Sequence, residues 1–334
     1  MSPRLLCKMT IAILALLTPA GMAMDAGVPA AKGGDMAVSL LPGSAKLQVS
    51  VDVRALDGNK DLQPLWKKVL ELPQIQEGLS KVQEAFAFDL RRDLNRVTFG
   101  VDPKRKGSEF IVLEGRLDTG KIQETFLMMG AEPDVYNGST IYRTKDEKEP
   151  GVARHFSILK PDLLVFGQKD AVMGAVDRLR EKAGGAAAAP DGTAAKGPVI
   201  RATLKDIAGI PAKKNPIQPV LDSLEATLDA GDAMALRVQL RCKDATAAKR
   251  MRAIAEGGAA LLLLVLAENP ELEKLLAGVL DSAKFTQEGA SVLGEVKMPP
   301  AEAVNALLKA VDMAEQRRRL APDPQVGAVK EGEF

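Results

Sequence analysis

Few side chains in this chain could perform catalysis. His155 is the single histidine in 334 residues, so a Ser–His–Asp triad would have to use it, and no G-x-S-x-G elbow lies nearby. His155 alternates with Phe156 in a strand-like stretch, which makes it a strand residue with a partly solvated ring. One histidine and one mature-chain cysteine cannot supply the usual transition-metal ligand sets. The chain has no G-x-x-x-x-G-K-[ST] phosphate loop, no G-x-G-x-x-G fingerprint and no D-x-[DN]-x-[DN]-G calcium loop. Asp89 and Asp93 have the look of a carboxylate pair. Asp89 is placed to cap the turn that follows it, however, and Arg91, Arg92 and Arg96 are at hand to neutralise both acids. Acid–base work by two carboxylates brought together from distant segments stays open, because such pairing cannot be read from a linear sequence. Cys242 shares a strand face with Val238 and Leu240 and suits a small buried apolar side chain better than a reactive thiol. Trp66, the single tryptophan, suits a packing anchor better than a ligand platform. No catalytic, cofactor-binding or metal-binding residue emerges, and no cofactor is implied.

The elements that would have to position a site are clearer. Glu109 to Met129 reads as an apolar strand, a capping Asp118, and a helix with Ile122, Phe126 and Met129 on one face. Both faces of that strand are apolar near its start, as in an interior strand. Residues 234 to 254 repeat the order, with Met234, Leu236, Val238 and Leu240 on one strand face and Asp244 as the cap. Residues 291 to 311 repeat it again with Pro299 and Pro300, suited to a first helical turn, and residues 162 to 179 give a fourth version. Repeated strand–helix units point to an internal duplication. Because proline fills the position held elsewhere by Asp118 and Asp244, that position serves helix initiation and not chemistry.

Apolar residues make up 46% of the chain and aromatics only 4%, so the core rests on aliphatic side chains. With 45 basic and 44 acidic residues, there is no electrostatic ground to expect nucleic acid as a partner. Residues 1–23 read as a Sec-type signal peptide: Arg4 and Lys8, then the apolar run Met9 to Leu17, then Gly21 and Ala23 at the −3 and −1 positions. The apolar run is well short of the ~20 residues a spanning helix needs. Removal of the signal leaves Cys242 alone, without an intrachain disulfide.

Residues 24–38 form an Ala/Gly/Asp-rich flexible leader. The first α+β domain covers 39–183 and opens on the strictly alternating strand Lys46 to Val53. A helix spans Pro64 to Leu72 and resumes at Ile75. Asn137-Gly138 marks a two-residue hairpin turn; the same residues match a glycosylation sequon, but the turn accounts for them. Residues 184–198, rich in Gly and Ala, form a linker. The second α+β domain covers 199–316, with a helix at Val220 to Leu228, a strand at Ala233 to Leu240, a core helix through Ala259 to Ala267, a helix at Glu271 to Leu280 and a last helix at Ala301 to Met313. Residues 317–334, beginning Arg317-Arg318-Arg319, form a solvated tail.

The segments LPGSAKLQVSVDVRAL, PLWKKVL, FDLRRDLNRVTFGV and FIVLEGRLD together resemble a group of secreted bacterial proteins of unknown function, over Leu40 to Leu179 and more loosely the second half. The resemblance implies an exported α+β protein with duplicated halves and carries over no site residue. The order of elements suits two tandem ferredoxin-like (split β-α-β) sandwiches, each an antiparallel sheet with helices on one face; a single sheet shared by both halves is the alternative. The function expected is a non-catalytic periplasmic or extracellular binding or structural module that engages a protein or a small ligand. The alternatives are a carboxylate hydrolase and a membrane-surface protein using Ala259 to Ala267 or Arg317 to Arg319. Cleavage after Ala23 would make Met24 the first residue of the exported chain. Intact-mass measurement of the secreted protein checks this, and a mass that retains residues 1–23 would show an uncleaved anchor.

Overall fold

The computed structural model describes residues 36–71, 76, 89–145, 153–184, 198–207, 220–231, 233–267, 282–305 and 308–309. The alternating strand expected at 46–53 is β1 (Leu47–Asp52), and it sits near the middle of one twelve-stranded sheet. Going outward through the first half, β1 pairs with β2 (Leu94–Val101), then β3 (Phe110–Gly115), β7 (Leu163–Gly167), β6 (Ala153–Lys160), β5 (Ser139–Lys145) and the edge strand β4 (Glu132–Tyr136). On its other side β1 pairs with β8 (Ile200–Lys205), followed by β9 (Leu221–Ala230), β10 (Met234–Cys242), β12 (Ser291–Met298) and the edge strand β11 (Lys284–Glu288). Every neighbouring pair is antiparallel.

This corrects the expectation of two ferredoxin-like sandwiches. In each half two parallel strands do flank an antiparallel one, β3 and β6 about β7 and β10 and β11 about β12, but the halves form one continuous open sheet in place of two sandwiches. Separate sandwiches would also leave β1 and β8 as apolar open edges, which are prone to unwanted pairing. Joined, they set Val49 against Ala202 and Val51 against Ile200, all of them buried. The two halves nonetheless share one strand order: β1-β2-β3-β7-β6 and β8-β9-β10-β12-β11. The hairpin β4–β5 is an addition to the first half. Residues 185–197, most of the expected linker, lie outside the described residues.

Alternation places Val49, Phe99, Ile111, Leu164 and Phe156 on one side of the sheet, here the front, and Ser50, Thr98, Val112, Val165 and Ser157 on the back. The first half is covered on both faces, not on one. In front, α5 (Thr119–Met128) inserts Ile122 and Phe126, and the Phe126 ring lies 3.9 Å from that of Phe156, which stacks on Tyr142 at 4.6 Å. The helices α2 (Val53–Gly58) and α3 (Gln63–Glu71) bring Leu56, Leu65, Trp66 and Val69 into the same cluster. Behind, α6 (Lys169–Gly184) lays Val172 and Ala175 on Phe110, Val112, Leu163 and Val165. The short α1 (Met36–Ser39) adds Ala37, followed by Leu40 and Leu41. Ala37, within the expected leader, is thus part of the core, while residues 24–35 lie outside the described residues. In the second half α7 (Ala245–Ala267) packs Ala247, Ala248, Met251 and Ala255 on the front, against Leu240, Cys242 and Val292.

Local chemistry sets the helix starts. The Asp118 carboxylate accepts from the Lys121 N–H at 3.0 Å and the Asp244 carboxylate from the Ala247 N–H at 2.7 Å, satisfying first-turn donors. Residues 300–305 are helical after Pro299, whose carbonyl accepts from Ala303 N–H. Asn137 (φ 47°) and Gly138 (φ 72°) make the expected two-residue turn of β4–β5.

Two local expectations fail for identifiable reasons. The helix expected at Val220 to Leu228 is instead the strand β9, Leu221–Ala230. Opposite β10, Ser223 pairs with Arg241 and Leu221 with Cys242, so Asp222 is an extra, bulged residue. The bulge puts Leu221 on the same face as Leu224 and Leu228, and that spacing imitates a helix. Met129 does not join Ile122 and Phe126, because α5 ends at Met128 and turns through Gly130 at φ 79°; Met128 and Met129 are exposed. The expected helix at 271–280, the segment 77–86 and residues 310–334 lie outside the described residues, as do the side chains of Ala259 to Ala267.

Because one sheet and one cluster cross the seam, thermal unfolding is expected to show a single transition; two resolved transitions would mean that the halves fold separately. Phe156→Ala should cost about 3–5 kcal/mol, measured by urea titration.

Candidate functional site

The strands of the first half that are covered on both sides, such as FIVLEG and LLVFG, are apolar on both faces. Those of the second half alternate. The front residues of β8, β9, β10 and β12 are largely aliphatic and face the core clusters, and β11 adds Phe285 and Gln287 on that side. On the back, β8 presents Arg201, Thr203 and Lys205, and β9 presents Ser223, Glu225, Thr227 and Asp229. Next, β10 presents Ala235, Arg237, Gln239 and Arg241, β12 presents Leu293, Glu295 and Lys297, and β11 presents Lys284, Thr286 and Glu288. None of these side chains joins a hydrophobic cluster, and among the described residues no helix packs on this side of β8–β12.

Ion pairs organise this face. Arg237 bridges two strands, its Nη1 2.8 Å from Asp229 Oδ2 and its Nε 2.7 Å from Glu295 Oε1. Lys297 Nζ reaches the other Glu295 oxygen at 2.7 Å, and Arg201 Nε lies 3.2 Å from Glu225 Oε1. Partial burial would raise the Glu295 pKa, but hydrogen bonds from Lys297 and Arg237 outweigh it and hold the carboxyl below its usual range. Thr227 is buried between Arg201 and Arg237, directly opposite it on either side. At the seam the face closes: Ser50 and Thr98 hydrogen-bond at 3.0 Å, and Gln48 donates to the Ala45 carbonyl at 3.2 Å. Such a surface can hold a polar or charged partner. It offers no nucleophile set beside a general base, since its partly buried carboxylates Glu225, Asp229 and Glu295 are each committed to a cation.

The residues singled out in the sequence do not converge on this face. Asp89 and Asp93 form a local cap: Asp93 Oδ2 accepts from the Asp89 N–H at 3.0 Å, and Asp89 Oδ1 from the Arg92 N–H at 3.4 Å. The hydrogen bond from Arg92 holds the Asp93 carboxyl below its usual range. Arg96 turns away to Asp52 at 3.1 Å. The Cys242 side chain is buried in the front cluster. Trp66 is buried in the cluster that both halves share, its indole Nε1 without a partner. Asn137 donates to Asp177 at 2.8 Å, and Tyr136 donates its hydroxyl to the other Asp177 oxygen at 2.9 Å, which pins the added hairpin to α6.

His155 departs from expectation. Its ring is only 8% exposed, not partly solvated, and its Nδ1 has no hydrogen-bond partner. It lies on the back of β6, opposite Gly167 of β7 and Arg143 of β5, near the first turn of α6. Burial pushes its pKa below the usual 6.5, and Lys169 and Arg143 push the same way against Asp134 and Asp170. Asp134 is itself held low, chiefly by its hydrogen bond from Lys169.

No protein-family model matches the chain, and neither curated proteins nor solved structures yield a match. Among the described residues no His, Cys, Asp and Glu cluster has metal-binding geometry, and no helix is long and apolar enough to cross a membrane.

The polar back face escaped sequence reasoning even though its signal is visible: Arg237, Gln239 and Arg241 alternate with an aliphatic front, as do Glu295 and Lys297. What the alternation does not say is whether another element covers that side. For His155 the sign of the pH effect follows from its lowered folded pKa. Above pH 6.5 it is neutral in both states; below it the unfolded chain takes up a proton that the folded chain resists, so stability falls as pH falls. The urea midpoint should drop between pH 7.5 and 5.5, and His155→Gln should show a smaller drop. An equal drop in both proteins would refute the assignment.

Proposed function

We propose that this protein is an exported, non-catalytic binding module of the bacterial envelope, periplasmic or extracellular, that holds a polar partner on the back face of β8–β12. One observation carries this reading. Half of a large sheet keeps one face uncovered among the described residues, and that face is lined by ion pairs, hydroxyls and amides. A face kept only for stability would more cheaply be covered by apolar packing, as it is in the first half. The signal-type segment 1–23 supports export. The shared strand order of the halves supports a duplication whose copies differ, among the described residues, in what lies behind the sheet.

The partner suited to this face is a protein segment or small ligand with charges of both signs. The face carries no aromatic platform for stacking bases, which agrees with the balanced net charge in arguing against nucleic acid. A carboxylate hydrolase is the second class considered, and no described geometry favours it.

A photo-crosslinking residue placed at Gln239, at the centre of the face, should yield an adduct in envelope preparations. The same residue at Glu124, exposed on α5 at the front of the other half, should not. Equal labelling at both positions, or none at Gln239, would overturn the reading.

A further inference from the structure

The two ends of the sheet are finished differently. At one end, the two-residue turn of β4–β5 makes Tyr136 and Ser139 a hydrogen-bonded pair. Alternation then turns the backbone groups of Glu132, Asp134 and Tyr136 inward, to β5, and those of Pro133 and Val135 outward. Pro133 has no N–H to offer. The Val135 N–H is taken by the Asp134 carboxylate at 2.9 Å. No outward donor on β4 remains for an incoming strand, which is how edges are protected against pairing.

At the other end nothing of the kind is present. The two-residue turn Gly289-Ala290 makes Glu288 and Ser291 a hydrogen-bonded pair, so Lys284, Thr286 and Glu288 bond to β12 while Phe285 and Gln287 point their N–H and C=O outward. None of these outward groups has a backbone partner among the described residues, and β11 contains no proline. Its side chains Lys284, Thr286 and Glu288 stand exposed on the back face. Neither Lys284 nor Glu288 makes an ion pair among the described residues: Glu295, opposite Lys284 in the ladder, is held by Arg237 and Lys297.

The sequence of β11, Lys-Phe-Thr-Gln-Glu, is complementary to itself when reversed. We propose that the protein forms a two-fold dimer by antiparallel pairing of β11 with β11 of a second copy, centred on Thr286. In that register Phe285 lies opposite the partner copy's Gln287, and each such pair exchanges two N–H···O bonds, four in all. These are the groups left pointing outward. Lys284 then stands opposite Glu288 of the other copy, twice, at non-hydrogen-bonded positions, where opposed side chains approach most closely and opposite charges stabilise. Thr286 faces its own copy across the axis. A two-fold contact of this kind is closed, and the blocked β4 end stops further growth, so the product is a dimer with a continuous sheet and not a filament. The inference is independent of what binds the back face.

Sedimentation velocity of the purified protein over a concentration series tests this. The expected result is a monomer–dimer equilibrium. Gln287→Pro removes an outward N–H that no intrachain bond uses, so it should leave the circular dichroism spectrum unchanged and abolish the dimer. Glu288→Lys sets lysine against Lys284 of the other copy and should weaken dimerisation at least tenfold. The exchange Lys284→Glu with Glu288→Lys recreates both pairs in the opposite sense and should restore it. A protein that stays monomeric at all concentrations, or a dimer that survives Gln287→Pro, would overturn the proposal. Failure of the double exchange to recover what Glu288→Lys loses would overturn the register and with it the two-fold at Thr286.

Discussion

The structure depends on the pairing of β1 with β8. These strands are the first of their respective halves, and both are apolar on the front. Left apart, each would be an open edge with a row of unpaired backbone groups. Paired antiparallel, they merge two five-stranded runs of the same order into one sheet, with β4–β5 added at one end. They also merge the front clusters, so that Val49 and Val51 share a core with Ile200, Ala202, Leu228 and Met234. A tie beyond the ladder reinforces the seam: Lys46, just before β1, bonds to Asp206, just after β8. Asp206 adopts φ 51° to do so. The hydrogen bond that Lys46 donates to Asp206 raises the Lys46 pKa, as expected of a cation facing a carboxylate.

From the seam outward the halves diverge in what lies behind the sheet. The first half has α6 and the segment 36–41 on its back, joined to each other by the Arg178 bond to the Leu40 carbonyl at 2.8 Å. The second half has α7 on its front and, among the described residues, nothing packed on its polar back. The divergence is written in the strands: where α6 sits, both faces are aliphatic, and where no described element sits, one face is a lattice of Arg, Lys, Glu and Thr. These partly exposed ion pairs contribute modestly to stability, on the order of 0–1 kcal/mol each. Their more direct consequence is that the face stays hydrated and resists nonspecific association, while still presenting fixed charges to a specific partner.

Several features that look chemical in the sequence are accounted for by the fold. Asp89 and Asp93 close a helical turn, Asp118 and Asp244 start helices, Asn137 and Gly138 turn a hairpin, and Cys242 fills the core. His155 is the exception in that its burial exceeds what a strand histidine needs. Burial, with Lys169 and Arg143 acting against Asp134 and Asp170, lowers its pKa, which is the basis of the acid sensitivity predicted for the contact between α6 and the sheet.

The sequence by itself determined the periodic and local features. The alternation of Leu47, Val49 and Val51 marks a strand, the spacing of Ile122 and Phe126 marks a helix, the capping acids mark where helices begin, and Asn137-Gly138 marks a turn. Each depends on interactions within a few residues of chain, so each is legible there. The α+β class follows from them. Only the tertiary structure decided that the halves share one sheet, that helices cover both faces of one half and one face of the other, and that residues 221–230 form a bulged strand. Those outcomes depend on which distant edge or face each element meets. The pairing of Val49 with Ala202 spans more than a hundred residues, and a one-residue bulge at Asp222 gives a strand the spacing of a helix. The candidate site belongs to this second group. It is defined by the absence of a covering element among the described residues, and no alternation of residue types along a strand can state what lies above it.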